Sequence, residues 1–434
     1  MNAQHQAQNL LDFIDASPSP SHAVQTIVAE LARFDFRQLD ETSPWILRPG
    51  SRYYVVRDYS SVIAFVLGEK PLTETGYKII GAHTDSPGLR IRPNAASMLD
   101  GYLRLSVEIY GGPILATFTD RDLSLAGRIS YKNNQNQIVT KLITFDQALL
   151  RLPNLAIHMN RTVNDDGLKL QKQNELPLLL ARISEEQLPQ PYFSSLLANQ
   201  IGIEPARILA WDLNVYDTQK GVFWGANSEF LADSQLDNLA SCHAGITALL
   251  DDAVLDNGNT LVCAFFDHEE IGSQSNKGAD GSFLPDVLQR IAHATQTDDQ
   301  NYRISLANSF MISTDMAHAY QPNFPMAYDL DHKVIVNQGP VIKVNASKRY
   351  SSESHSEALF ANWCEEAGVP YQKYSHRCDL PCGSTIGPMT SAKLGIMSVD
   401  VGNPMWAMHS LRESAGVYDH GYLIAALKRF FTVL

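Results

Sequence analysis

Two adjacent glutamates, Glu269 and Glu270, close an apolar run that reads Thr260-Leu261-Val262-Cys263-Ala264-Phe265-Phe266-Asp267-His268. A run so rich in β-branched and aromatic residues predicts a strand buried on both faces. Its ending in Asp-His-Glu-Glu, followed by Ile271-Gly272, puts three carboxylates and an imidazole where a sheet meets solvent. Like charges crowded there are costly, so something positive should sit opposite them. In open α/β folds the carboxyl edge of the strands is also where ligands bind. The plain alternative is a polar loop with a chance acidic pair, and the glutamates alone do not choose.

Other strand ends do. Lys78-Ile79-Ile80-Gly81-Ala82 is a second short apolar run, ending in His83-Thr84-Asp85-Ser86-Pro87-Gly88. On a strand, residues two apart share a face, so His83 and Asp85 point together while Thr84 points away. A carboxylate beside a ligating histidine orients the ring and raises its basicity. Phe310-Met311-Ile312-Ser313-Thr314 ends in Asp315-Met316-Ala317-His318, and Gly395 to Val401 leads through Gly402-Asn403-Pro404 to Met408-His409-Ser410. Asp237 precedes Leu239 to Leu250, whose apolar spacing suits a helix. Any one of these is better read as a capped turn or a core histidine. Five of them, all at element ends, point to metal binding.

Two histidines with several carboxylates and no useful cysteine suit a borderline or hard divalent ion such as zinc, manganese or cobalt. The candidate ligands His83, Asp237, Glu270, Asp315 and His409 lie far apart in the chain, so a whole domain must assemble them. They are too many for one tetrahedral ion and suit two ions sharing a carboxylate. Paired ions about 3.5–4 Å apart occur in aminopeptidases and nucleases. One glutamate of the 269–270 pair can then ligate while the other acts as general base toward water.

The elements needed to position these residues are legible around them. Helices are expected at Asn9 to Ile14 and His22 to Phe34, and strands at Tyr53 to Arg57, Ser61 to Leu67 and Lys78 to His83. After Pro93 the texture changes to alternating stretches such as Leu103-Arg104-Leu105-Ser106-Val107-Glu108-Ile109, which predict half-buried antiparallel strands. The expected architecture is α/β: a three-layer α/β/α domain from 1–93 and 229–434, interrupted by a β-rich insertion at roughly 94–228. The metal set falls wholly in the outer segments, leaving the insertion for oligomer contacts.

The 434 residues are 44% hydrophobic and 19% charged, an ordinary globular composition, and the net charge of −13 argues against a nucleic-acid partner. No apolar run is long enough to predict a membrane span. The start, Met1-Asn2-Ala3-Gln4-His5-Gln6, lacks the pattern of a signal peptide. Five cysteines, with Cys378 and Cys382 unmatched by a second pair, read as reduced thiols of a cytoplasmic protein.

The chain resembles the M18 family of metalloaminopeptidases, which includes aspartyl aminopeptidase and vacuolar aminopeptidase I, with wording closer to the bacterial and aspartyl type. The resemblance rests on segments in family order along nearly the whole chain: Gly81 to Pro87, Leu155 to Arg161, Gln235 to Leu239, Asp267 to Ser273, Ser313 to Ala319, Gly339 to Lys343, Cys382 to Pro388 and Met408 to Glu413. It implies two zinc ions per subunit, one bound by His83 and Asp315, the other by Glu270 and His409, with Asp237 bridging. It implies Glu269 as general base, Asp85 as the residue orienting His83, and His158 as an active-site histidine lent by an oligomer partner. Dimers built into a dodecamer are the family expectation. His268 and Cys378 depart from the pattern, at positions that are not ligands.

The substrate implied is a peptide with a free amino terminus. A basic group, Lys348-Arg349 with Tyr350, follows the strand-like 339–345 and either meets an acidic side chain or is a solvated turn. The resemblance favours Lys343 and Arg377 near the substrate, and hence N-terminal Asp or Glu. Thr385, beside Gly383 and Ser384, could offer donors to the peptide or simply shape a turn. Two other readings stay open: a dinuclear carboxypeptidase or deacylase, and a non-catalytic assembly scaffold.

Overall fold

A computed structural model describes residues 3–255 and 258–433, so Met1 and Asn2 of the amino-terminal segment lie outside the described residues. The chain divides into two compact units: Met1–Asp85 with Gly221–Met408 and Glu413–Leu434, and Ser86–Lys220 with His409–Arg412.

The first unit is organised by a nine-stranded sheet. Its order is Arg37–Gln38, Arg52–Arg57, Ser61–Val66, Thr260–Phe266, Tyr77–His83, Phe310–Thr314, Met397–Gly402, Val341–Val344 and Gln372–Ser375. Every residue of Tyr77–His83 and Thr260–Phe266 is buried, as expected for strands covered on both faces. Side chains alternate between two cores. Ile80 and Ala82 join one with the helices Ala3–Asp15, Leu236–Leu249 and Val417–Thr432. Tyr77 and Ile79 join the other with Phe283–Ala294 and Ile386–Leu394. The result is a three-layer α/β/α arrangement.

Tyr77–His83 pairs in parallel with both neighbours, Phe266 standing opposite His83 and Ser313 opposite Gly81. Three parallel strands therefore end at one edge, and the polar residues after each are delivered together. A smaller five-stranded sheet, ordered Val222–Trp224, Phe230–Asp233, Glu413–Gly416, Pro404–Trp406 and Ala317–His318, completes this unit. The first helix runs Ala3–Asp15, longer than the expected Asn9 to Ile14, because Ala7 is buried with Leu10, Leu11 and Phe13. The second is Pro20–Ala32, capped by the Ser19 hydroxyl and started by proline at its first position.

The second unit carries a six-stranded antiparallel sheet ordered Ile138–Thr144, Leu123–Lys132, Ile208–Asp217, Gly88–Leu99, Tyr102–Tyr110 and Leu178–Arg182. The alternation read from 103–109 is real: Leu103, Leu105 and Val107 are buried, and the latter two pack in one core with Phe193 and Leu197 of the helix Pro189–Ile201. No helix among the described residues is long and apolar enough to cross a membrane.

Candidate metal centre

His83 ends its strand 1% exposed. Its Nε2 lies 3.4 Å from Asp237 Oδ1, 3.8 Å from Asp315 Oδ1 and 3.9 Å from Glu269 Oε2. On the other side of the ring, Nδ1 is 3.0 Å from the Asp85 carbonyl oxygen and 3.4 Å from its Oδ1. The strand itself stops at His83, so a loop and not strand alternation carries Asp85 to the ring. Ligand atoms fall into two groupings within 4.8 Å: His83 with Asp237 and Glu270, and His83 with Glu269 and Asp315. His83 rather than Asp237 is common to both.

Each acidic residue arrives by a local device. Glu269–Ile271 is a single 3₁₀ turn, entered through His268 at φ 69° and left through Gly272 at φ 99°. The Asp85 carboxylate accepts the backbone amides of Glu269 and Glu270 at 3.1 Å each. Asp237 keeps non-helical torsions at the head of Leu236–Leu249, and its amide donates to Glu413 Oε2 at 3.1 Å. Asn238 reaches across to the Thr314 carbonyl at 2.9 Å. Asp315 follows its strand with its amide on Val401 O at 2.9 Å, and a Cβ on Gly402 would meet its carbonyl at 1.7 Å. Only glycine lets the chain pass there.

The electrostatics are those of a site built for cations. Burial would push the His83 pKa down, yet Glu269, Asp237, Asp315 and Asp85 crowd the ring, and the net direction is well up. Glu269 and Glu270 are both driven upward by burial and by their acidic neighbours, while His83 pulls the other way. Carboxylates that resist ionising together are relieved by a bound cation. Burial pushes the Cys242 thiol upward, so it stays protonated and donates to His83 O at 3.0 Å. Imidazole and carboxylate oxygen, without thiolate, is a donor set that fits zinc, and two groupings fit two ions per chain.

The other residues singled out above are distributed as follows. His409 belongs to the second unit, where its Nδ1 lies 3.1 Å from Gly112 O, and neither grouping among the described residues includes it. His158 sits in an exposed turn of that unit, between Ile157 and Met159, which are 47% and 75% exposed. Lys343 is buried with Nζ 3.8 Å from Asp315 Oδ2 and 3.2 Å from Met316 O. Arg377 is turned to Asp379, at 2.6 Å, and to Met326 O. The Thr385 hydroxyl is buried and donates to Asp400 Oδ1 at 2.6 Å. Lys348 pairs with Glu353, and Arg349 donates to Cys382 O at 3.1 Å, so the basic turn is locally engaged. All five cysteines are unbridged. Sequence reasoning did not single out Glu413, Asn238 or Cys242. Each acts through a contact distant in the chain, for which local pattern carries no signal.

The comparisons with known proteins agree with this geometry. The family described as "Aminopeptidase I zinc metalloprotease (M18)" matches residues 13–431. A protein of Ectopseudomonas mendocina (strain ymp) named "Probable M18 family aminopeptidase 2" is 43% identical over 429 residues, which is 98% of this chain and 97% of that protein. The structure titled "Cryo-EM structure of the Ape4 and Nbr1 complex" superposes with a TM-score of 0.96 at 39% identity, covering 99% of this chain and 86% of that one. A structure of the S. cerevesiae mApe1 dodecamer gives 0.87 at 26% identity, covering 99% and 97%. A family match along nearly the whole chain, the same fold and a buried imidazole–carboxylate centre lead to one conclusion: this chain belongs to the M18 family and is a zinc metalloaminopeptidase.

Proposed function

We propose that the protein removes acidic residues, Asp or Glu, from the amino termini of peptides. The observation that carries this reading is Lys343, a buried ammonium 3.8 Å from the Asp315 carboxylate at the rim of the metal centre. A cation there has little reason to favour an apolar side chain and good reason to favour a carboxylate. His83, Asp237, Glu270, Asp315 and His409 would hold two zinc ions. When bound, zinc acts as a Lewis acid and makes water a usable nucleophile near neutral pH.

Within that frame the chain's own groups divide the work. Glu269 takes a proton from water and returns it to the leaving amine, a role worth roughly 100- to 10,000-fold. The two backbone N–H hydrogen bonds accepted by the Asp85 carboxylate hold the turn that presents it. Acidic neighbours of the centre receive the substrate's α-amine, which limits cleavage to the first residue. Arg377 and Thr385 belong to the substrate side, with Thr385 contributing through the loop it anchors on Asp400.

His158 acts in a neighbouring copy of the chain. Its support is an exposed turn flanked by Leu155, Ile157 and Met159, apolar side chains 65%, 47% and 75% exposed that an assembly would cover. The β-rich unit makes the dimer contacts, and dimers assemble into a dodecamer; the likeness to the S. cerevesiae mApe1 dodecamer supports that subunit number alone. The place of action is the cytoplasm. Hydrolysis of Asp-, Glu- and Leu-linked amides by the zinc-loaded protein tests the substrate. Leu turnover equal to or better than Asp and Glu removes the acidic preference.

A further inference from the structure

The turn that presents Glu269 and Glu270 is part of a longer loop, and the two ends of that loop meet in a buried ion pair. Lys277 is 6% exposed and Asp267 2%. Lys277 Nζ lies 3.0 Å from Asp267 Oδ2, 3.1 Å from Asp58 Oδ2 and 2.7 Å from Ser60 Oγ. An ammonium has three protons to give, and three acceptors surround it. The Ser61 hydroxyl ties the same two ends again, donating to Lys277 O at 2.9 Å and accepting from Asp267 N at 2.8 Å.

From this base the route to the glutamates is short. Asp267 Oδ1 accepts the His268 amide at 2.8 Å, holding the residue whose φ of 69° turns the chain toward Glu269. Across the loop, His268 Nδ1 is 2.8 Å from Ser275 Oγ, and Ser275 Oγ accepts the Gly278 amide at 3.0 Å. The Asp58 partner belongs to the tight connection between strands Arg52–Arg57 and Ser61–Val66, so Lys277 also moors the loop to the sheet. A buried ion pair gains little net stability over an apolar pair of the same shape. Its stronger effect is on geometry, and displacement of a catalytic group by about 1 Å can cost on the order of 100-fold in rate.

We propose that Lys277 is a positioning residue: through Asp267 it sets where the Glu269-Glu270 turn stands over the metal centre. The inference rests on the reading of Glu269 as general base, and its test separates the two. In the double variant Asp267→Asn with Lys277→Met both charges are gone and no buried charge is stranded. It is expected to keep two zinc ions and the wild-type unfolding temperature. Its kcat should fall by at least about tenfold with KM within about threefold. In the metal-free protein, hydrogen exchange at the Glu269 and Glu270 amides should quicken relative to wild type. Restoring the charge pair in Lys277→Arg should recover part of kcat.

Wild-type kcat and exchange in the double variant overturn the proposal, as does a loss of activity matched by lost zinc. Should the double variant not fold, Asp58→Asn decides on the exposed side of the same ammonium. It is expected to lower kcat by roughly three- to fivefold at constant KM, and no change there sinks the idea. If the wild-type enzyme does not hydrolyse aminoacyl amides, the functional reading fails while the exchange measurement still judges Lys277.

Discussion

Asp85 Oδ2 accepts the backbone amide of Glu270 at 3.1 Å, while its Oδ1 takes the amide of Glu269 and faces the His83 ring. One buried carboxylate thus couples an imidazole at the end of one strand to the acidic turn at the end of the next.

Asp85→Asn breaks that coupling by turning an NH₂ group toward a backbone N–H or the ring. A buried donor left without an acceptor costs about 1–3 kcal/mol. We expect a lowered unfolding temperature, together with roughly 10- to 100-fold lower metal affinity or activity. Calorimetry and zinc titration check this. Unchanged values in both would show that Asp85 is incidental to the centre.

Glu269→Gln tests the base. The amide cannot accept the proton from water, yet it retains an oxygen for the site. Zinc content should stay at two per chain, and kcat should fall about 100- to 10,000-fold. Near-normal turnover would move the role to another residue.

Lys343→Met tests selectivity without touching Glu269. Loss of the ammonium should lower kcat/KM for an Asp-linked amide by roughly tenfold or more relative to a Leu-linked one. Equal losses on both substrates would mean that Lys343 serves Asp315 rather than the substrate.

Acid should act against the fold through buried histidines outside the two metal groupings. His22 is lowered to about 4 by burial, and its Nδ1 lies 2.7 Å from Ser19 Oγ. His243, stacked on His420 with Nδ1 2.7 Å from that ring's Nε2, is likewise lowered to about 4 by burial. His420 is held well below the ordinary value by burial and by His243. The folded chain keeps these rings neutral, whereas the unfolded chain protonates them near pH 6.5. At these rings unfolding therefore takes up protons, and their share of the stability falls as pH drops from 6.5 toward 4. For His22 the full effect is on the order of 3 kcal/mol. Urea unfolding across this window should show the decline, with a shallower slope in His22→Gln. Identical pH profiles for the wild type and His22→Gln would contradict the neutral buried state.

Removal of zinc should destabilise the protein reversibly. The groupings around His83 then hold like charges at close range, and ions that bind only the folded chain stabilise it by mass action. Thermal unfolding with chelator, and again after zinc is restored, should show the midpoint fall and return. An unchanged midpoint would mean that the acidic cluster is stable without an ion.

The amino-acid sequence by itself determined the layered α/β character, the alternating strands of the insertion and most of the polar residues that gather at the centre. The reason is local. A strand buried on both faces must be a continuous apolar run, so the first charges after it mark where it meets solvent: His83, Asp267 to Glu270, and Asp315. Register and partner choice belong to the tertiary structure, because they join residues far apart in the chain. Nothing near Thr385 says that its hydroxyl goes to Asp400, and nothing near Lys277 names Asp58 and Ser60 as its partners. Nor does local spacing reveal that Asp85 accepts the amides of Glu269 and Glu270, since that depends on two parallel strands ending side by side. Local patterning marked the residues with chemistry to offer; the pairing of distant strands decided which of them meet.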